Sequence, residues 1–488
     1  MPIFRSEKRH IMTPIKKITI PIEHTPTPHQ RSYLNINMTE KENKERGKLL
    51  RQSVSLTDQS FWKVTRPRQD PIRILAEQAK TRIPTLIPLR HQRMSASPFA
   101  FFRGGAAIMA ADLAKTPYTN LHVQLCGDMH VANFGFFATT EHHLAFGIND
   151  FDETLPGSWE WDLKRLVASA VIACESLGTN KTYSEDIVRT IVFSYRENMA
   201  NYAKLPYIVL ANQYLDDAQL RMSAQRYGKS AQNFLQKQID LAQNSTNQSF
   251  LHKFTKNTNG RRRIIDEPPL ITHSNVDHLG IPIEPLLDEA ILTYADSLLS
   301  DRRQLLKRYV IQDFARKIVG VGSVGTSCWV LYMQGLNNQD PLFLQYKEAQ
   351  KSVLAPYFGD PAFNHQGRRV VAGQRMLQGA PDILLGYGQA KNIDYYIRQL
   401  RDMKGGISIG SDDCGKKELP AFAYLFGWAL ALGHARSGNP SILSGYLGKS
   451  NQIDDALVDF SFAYAQQNAI DFETFTKAIK QGKLPCAK

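Results

Sequence analysis

Two strand-like runs roughly twenty residues apart each end in a loop crowded with carboxylates and amides, and a fold for this chain has to accommodate both loops. The first, LHVQL, leads into Cys126, Gly127, Asp128 and His130, with Asn133 five residues after Asp128. The second, LAFGI, leads into Asn149, Asp150, Phe151, Asp152 and Glu153. Taken singly, Asp and Asn at a turn commonly serve the backbone, by capping or by accepting local hydrogen bonds. Taken together, D-x-x-x-x-N followed by D-F-D after a strand has the parts that phosphoryl transfer needs. One carboxylate accepts the proton of an attacking hydroxyl, while a second carboxylate and an amide oxygen hold Mg²⁺ against the phosphates. Hard oxygen donors of this kind suit Mg²⁺.

The segment GDMHVAN resembles the catalytic loop of aminoglycoside phosphotransferases and related small-molecule kinases. INDFDE resembles their metal-binding segment, and WEWDLKRL resembles the helix start whose aspartate braces the catalytic loop. The resemblance implies an ATP-dependent phosphotransferase that uses ATP and Mg²⁺. It implies Asp128 as the base, Asn133 and Asp150 as Mg²⁺ ligands with Asp152 assisting, and Asp162 as the brace. Cys126 stands where such relatives often carry histidine.

Gly320, Gly322 and Gly325 form G-x-G-x-x-G inside KIVGVGSVGTSCWVLYM. A dinucleotide-binding turn has the same spacing but runs from strand into helix, whereas TSCWVLYM reads as a strand. Strand, glycine loop, strand is the hairpin that covers ATP phosphates in kinases. The next strand-like run, LFLQYKEA, places Lys347 for the α/β-phosphates. Glycines let the backbone approach a phosphate without a Cβ, and one lysine supplies the cation. In isolation the same text also fits a glycine-rich hairpin with a solvated lysine nearby. Kinases pair this lysine with a helix glutamate. Here Glu348 points to the opposite face of its strand and the next glutamate is Glu418, so Gln374 is the expected stand-in. YYIRQLRDMKG is expected to supply the sheet edge and the hinge facing adenine, with Leu400 and Met403 as backbone contacts.

In kinases the glycine loop and lysine precede the catalytic loop; here they follow it, and a circular permutation reconciles the two orders. The expected fold is therefore α+β: protein kinase-like, circularly permuted, with a large helical lobe and a small antiparallel β-sheet lobe. Residues 1–60 read as a poorly ordered basic arm, and 61–310 as a mostly helical lobe carrying the catalytic and metal loops. Residues 311–405 read as a small β-rich ATP-binding lobe, and 406–488 as helices completing the helical lobe. Within this scheme 252–285 reads as an irregular connection. From about Arg93 onward, SPFAFFRGGAAIMAADLA, the motifs above and WALALGHARSG look like a bacterial family catalogued as a domain of unknown function. Arg103 in FFRG is either a phosphate contact or a structural arginine.

The net charge of +13 comes from scattered Lys and Arg with only short clusters such as Arg261–Arg263, which reads as a solvated basic surface and no specific nucleic-acid site. No apolar run reaches the ~18 residues of a membrane span, and the N-terminus lacks an apolar signal core. Five scattered cysteines without a CxxC pair argue against a disulfide framework or zinc cluster and fit a cytoplasmic setting. The acceptor, a small molecule or a protein segment, is not named by these residues. Three other functions remain open. A non-catalytic pseudokinase is favoured by the missing glutamate, and a nucleotidyl transferase would use the same scaffold. A metal-dependent phosphohydrolase shares GDMH, but the chain has neither the upstream D-x-H nor the G-N-H-[DE] of that class.

Overall fold

LHVQL forms β1 (His122–Leu125), and β2 (Phe134–Ala138) pairs antiparallel with β3 (Leu144–Ile148), formed by LAFGI. β1 pairs antiparallel with β4 (Leu155–Ser158). One acidic loop thus joins β1 to β2 and the other joins β3 to β4. Because β1 pairs with β4 and β2 with β3, both loops leave the same end of the two ribbons and lie side by side. Phe134, Phe136 and Phe146 are buried and pack their rings together, so the ribbon is fixed by apolar burial. A computed structural model of the chain describes residues 39–487 except 65–66, 275, 277–279, 281, 319, 361–362 and 411–412.

Two long helices follow. α1 (Glu160–Ser176) is buried along most of its length, and α2 (Lys181–Tyr202) starts where the Asn180 side chain accepts the Tyr183 N–H. Part of 252–285, expected to be irregular, is a hairpin of Thr255–Thr258 with Arg261–Ile264. Its turn, Asn259-Gly260, has φ of 53° and 78°, the left-handed pair that a two-residue hairpin demands.

A six-stranded antiparallel sheet comes next. It contains β5 (Val310–Lys317), β6 (Cys328–Gln334), β7 (Pro341–Glu348), β8 (Gly386–Ala390) and β9 (Ile393–Gln399), in the order β8-β9-β7-β6-β5 with Ile271–Thr272 outermost. β9, expected at the edge, is interior. Lys391 and Asn392, both at positive φ (43° and 66°), turn β8 back onto it. Side chains alternate between faces. Trp329, Leu331, Leu344 and Tyr346 pack against the helix Ile283–Ser297 through Leu286, Ala290 and Tyr294. Val330, Tyr332 and Phe343 pack on the other face with Leu251, Phe254 and Ile264. Lys347 shares the face of Phe343, opposite Glu348.

α3 (Gln366–Gln378), between β7 and β8, ends at Gly379 with φ 76°. α4 (Leu419–Ser437) is apolar and buried nearly all round, in contact with α2, β1 and β3, and α5 (Gln452–Lys480) lies on α1 and α2. The chain is thus mixed α/β with antiparallel sheets, and among the described residues no helix is long and apolar enough to cross a membrane.

Residues 39–60, expected in the poorly ordered arm, are folded. The helix Glu40–Leu49 opens with a Thr39/Glu42 capping box. It packs on the helix Pro440–Leu447, where Arg51 donates to the Tyr446 and Gly445 carbonyls. The contact is backbone to backbone: a Cβ on Gly47 would lie 2.0 Å from Ile442 O. Charged composition hides such packing, because glycine makes it and no apolar stripe is needed. Residues 1–38 of that arm lie outside the described residues. Gly47→Ala is expected to release this helix, seen as faster limited proteolysis between residues 40 and 60 and a lowered Tm.

Candidate active site

One face of α1 holds the first acidic loop. Asp162, Arg165 and Ser169 stand at i, i+3 and i+7 and share that face. The Asp162 carboxylate accepts the Cys126 N–H at 2.6 Å and the Gly127 N–H at 2.9 Å, which is the bracing expected of it. Ser169 Oγ accepts the Val131 N–H at 3.0 Å. Arg165 directs Nε and Nη2 to Asp128 Oδ1 at 2.8 and 2.6 Å. The guanidinium is held in turn by the Phe102 carbonyl at 2.8 Å and lies 4.2 Å from the Phe102 ring centroid. Behind the brace, His434 Nε2 is 3.3 Å from Asp162 and its Nδ1 is 2.8 Å from Tyr195 Oη, so α1, α2 and α4 meet at the loop. Gly127 has φ 86°, and a Cβ there would strike Glu153 O at 2.5 Å. The two acidic loops touch where only glycine fits.

Asn133 locks one loop to the other. Its Oδ1 accepts the Asp150 N–H at 2.8 Å, and its Nδ2 donates to the carbonyls of Asp128 (3.2 Å) and Asp150 (3.3 Å). The Cys126 thiol donates to the same Asp150 carbonyl. Asp150 turns its carboxylate, 48 % exposed, toward the cleft. Asp152 is engaged by the protein. Its Oδ1 accepts Tyr396 Oη at 2.7 Å, and its Oδ2 takes Lys347 Nζ in a short ion pair and Ser323 Oγ at 3.1 Å. Lys347 is only 2 % exposed and also lies 4.0 Å from Asp150 Oδ1. The lysine and Asp152 are 195 positions apart in sequence.

Gln374 is not the partner of this lysine; its Nε2 donates to Gln378 within α3. α3 instead presents a cation. Arg369 donates to the carbonyls of Asp152 (2.8 Å), Gln350 (2.8 Å) and Thr154 (2.7 Å). A Cβ on Gly373 would lie 2.3 Å from Thr154 Oγ1, so the helix closes directly onto the loop. The lysine's carboxylate therefore comes from the D-F-D segment, and the helix secures that segment's backbone.

The glycine loop joins β5 to β6, which pair antiparallel as a hairpin. It lies over Asp128: a Cβ on Gly322 would be 3.8 Å from Asp128 Oδ2 and 3.7 Å from Arg103 O. Gly325 has φ 97°, and its carbonyl accepts the Ile83 N–H, while Arg82 Nη1 donates to Val324 O at 2.6 Å.

Two adjoining cavities meet at these loops. The first, about 250 Å³, is lined by Asp128, Asn133, Asp150, Gly320 and Gly322, with Arg82, Arg90 and Arg103 from the segment before β1. The second, about 300 Å³, is lined by Lys317, Gln345, Lys347, Leu400 and Arg401. Both include Asp150, Gly320, Ser323, Arg398 and Lys404. Leu400 lines the second cavity, but its N–H already donates to Phe343 O at 2.8 Å. Met403, at φ 47°, is not among the residues lining it.

The charges are strongly coupled. Burial works against the Lys347 ammonium, but Asp150 and Asp152 outweigh it and hold its pKa well above the ordinary value. Burial likewise raises Asp150, yet Lys347 and Arg398 prevail and keep it below the usual carboxylate range. Burial drives His130 down to about 3 against the pull of Asp128, so the imidazole beside the loop is neutral. Glu153 is pushed up to about 7, chiefly by burial.

Sequence reasoning missed Arg165, Ser323, Arg369, Tyr396, Arg398 and Lys404. Arg165 was within reach, because it stands one helical turn after Asp162 and so faces the same loop. Ser323 sits inside the glycine motif and Tyr396, Arg398 and Lys404 inside YYIRQLRDMKG, but their long-range partners, like those of Arg369, are not announced by any local pattern.

An antiparallel hairpin, paired acidic loops and a buried lysine around one cleft define a mixed α/β protein with a polar, charge-dense site. The chain belongs to the bacterial family DUF2252, described as an uncharacterized protein conserved in bacteria, which matches residues 82–478. No curated protein and no solved structure is significantly similar to it.

Because folded Glu153 binds its proton more tightly than the unfolded chain, its contribution to stability falls as pH rises from about 4.5 to about 7. Glu153→Gln keeps an acceptor for the Val353 N–H and is expected to raise Tm relative to wild type at pH 8. The difference should shrink toward pH 5 in matched thermal melts.

Proposed function

We propose that the chain is an ATP-dependent phosphotransferase with a kinase-like, circularly permuted fold, moving the γ-phosphate of Mg·ATP to a hydroxyl acceptor. The observation that carries this reading is the position of Lys347. It comes from the strand after the glycine hairpin, and it sits between Asp150 and Asp152 in the cavity that adjoins the one holding Asp128. That meeting of distant segments is what a permuted order requires.

Asp128 is suited to be the base. Arg165 holds Oδ1 through two bonds, leaving Oδ2 toward the cavity under Gly322. The acceptor oxygen forms its bond to the γ-phosphorus as the bond to the β,γ-bridging oxygen breaks. The electron pair leaves with ADP, and the hydroxyl proton passes to Asp128. Lys347, once nucleotide enters, is close enough to Asp150 to share its charge between the phosphates and the D-F-D segment. Gly320 and Gly322 permit the loop backbone to approach phosphate oxygens.

The donor set fits a single Mg²⁺. Asp150 offers a carboxylate facing the cleft, and Asn133 Oδ1, which accepts one N–H, keeps a second lone pair. Among the described residues no group of three or more His, Cys, Asp or Glu could hold a metal unaided. Phosphate oxygens and water complete such a shell, as is usual for this ion. When bound, the metal neutralises phosphate charge. Asp152 is bound to Lys347, Tyr396 and Ser323, so its part in this reading is to position the lysine.

Asp128→Asn is expected to lower turnover at least 10³-fold, of the order that removing a positioned base costs, while calorimetric Mg·ATP affinity stays within about twofold. Asp150→Ala and Lys347→Ala should each weaken binding tenfold or more. ADP as product supports phosphoryl transfer, AMP would assign a nucleotidyl transferase, and binding without turnover of any acceptor would assign a pseudokinase.

A further inference from the structure

The arginines of the first cavity have unused hydrogen-bonding capacity. Arg90 is 1 % exposed, with one Nη2 bond to Gly104 O at 3.0 Å and a long contact to Gln78. Its Nε and Nη1 have no hydrogen-bond partner among the described residues, nor do Arg82 Nε and Arg103 Nε. All three side chains line the cavity that contains Asp128. A buried guanidinium with unmade bonds is costly, and converging forks of this type match a phosphate or carboxylate. Lys347, the cation of the nucleotide side, lines the other cavity and is already bonded to Asp152.

We propose that Arg82, Arg90 and Arg103 form a subsite for a phosphate group carried by the acceptor, placing its hydroxyl at Asp128. This inference rests on the phosphotransferase reading for the word acceptor, but the anion site itself does not. Charge favours phosphate over carboxylate. Of the acids lining the cavity, Asp128 is paired with Arg165, Asp152 with Lys347, and Glu153 Oε2 accepts the Val353 N–H. Among the described residues the three guanidiniums thus have no carboxylate partner and leave room for a dianion. His130, the other titratable neighbour of Arg103, is neutral and adds no charge. The nucleotide's own phosphates are the competing source of the same chemistry.

The test titrates inorganic phosphate into the full chain, free and saturated with a non-hydrolysable Mg·ATP analogue, by calorimetry. Wild type, Arg90→Gln and Arg103→Gln are compared. Among the described residues the Arg103 side chain makes no hydrogen bond to lose on substitution, so its variant remains informative if Arg90→Gln fails to fold. Saturable phosphate binding that persists in the nucleotide-loaded protein and weakens tenfold or more in either variant, with analogue affinity within twofold of wild type, supports the subsite. Phosphate binding abolished by the analogue would assign the arginines to the nucleotide and overturn it, as would no phosphate binding by a folded wild type. Arginine-dependent phosphate binding by a protein that ignores Mg·ATP would keep the anion site and sink the phosphotransferase reading instead.

Discussion

The ion pair between Lys347 and Asp152 is the contact on which the site depends. It ties a sheet strand to the loop after β3, and Tyr396 and Ser323 bond the same carboxylate from β9 and the glycine loop. Four separate stretches of chain are thus fixed by one side chain. Removing one partner of a buried pair typically costs about 3–5 kcal/mol, because the other charge is left uncompensated. Asp152 keeps 27 % exposure, so the loss here belongs toward the lower end. The pair is built less for stability than for position: it holds an ammonium beside Asp150 without a helix carboxylate.

That arrangement accounts for the absent glutamate. α3 approaches closely, with Gly373 against the Thr154 side chain, and its Arg369 meets backbone carbonyls of the acidic loop and not the lysine. Carbonyl oxygens call for a donor, and Arg369 supplies one. In the proposed phosphotransferase reading, the carboxylate expected on the helix has its counterpart inside the loop, at Asp152. The same economy operates at Asn133, whose single amide bonds the backbone of both loops.

Much of this could be read from the sequence, and the rest failed for identifiable reasons. Strand-to-loop patterns located the loops of Asp128, Asn133 and Asp150, and the aromatic run after Gly325 correctly distinguished a hairpin from a strand-helix turn. The helix Glu40–Leu49 was missed because its packing runs through Gly47 and backbone atoms, which leave no apolar periodicity, and the buried Val54 and Leu56 after it are too few to form one. The Asn259-Gly260 hairpin was legible and overlooked amid basic and proline-rich text. Leu400, expected as a backbone contact, lines the second cavity with its N–H already given to Phe343 O, and β9 lies inside the sheet because the turn at Lys391-Asn392 adds a further strand. The arginines around the first cavity all come from the segment before β1, residues 82–103, but nothing local in Arg82 or Arg90 distinguishes them from surface cations.

The central claim is that these loops orient a nucleotide for transfer toward Asp128. A crystal structure with Mg²⁺ and a non-hydrolysable ATP analogue tests it most directly. The account predicts the base near Leu400, the metal on Asp150, and the γ-phosphate between Gly322 and Asp128. A nucleotide bound in the reverse direction, with its α-phosphate nearest Asp128, would contradict phosphoryl transfer. A well-ordered complex with the nucleotide outside the cleft would contradict the site itself.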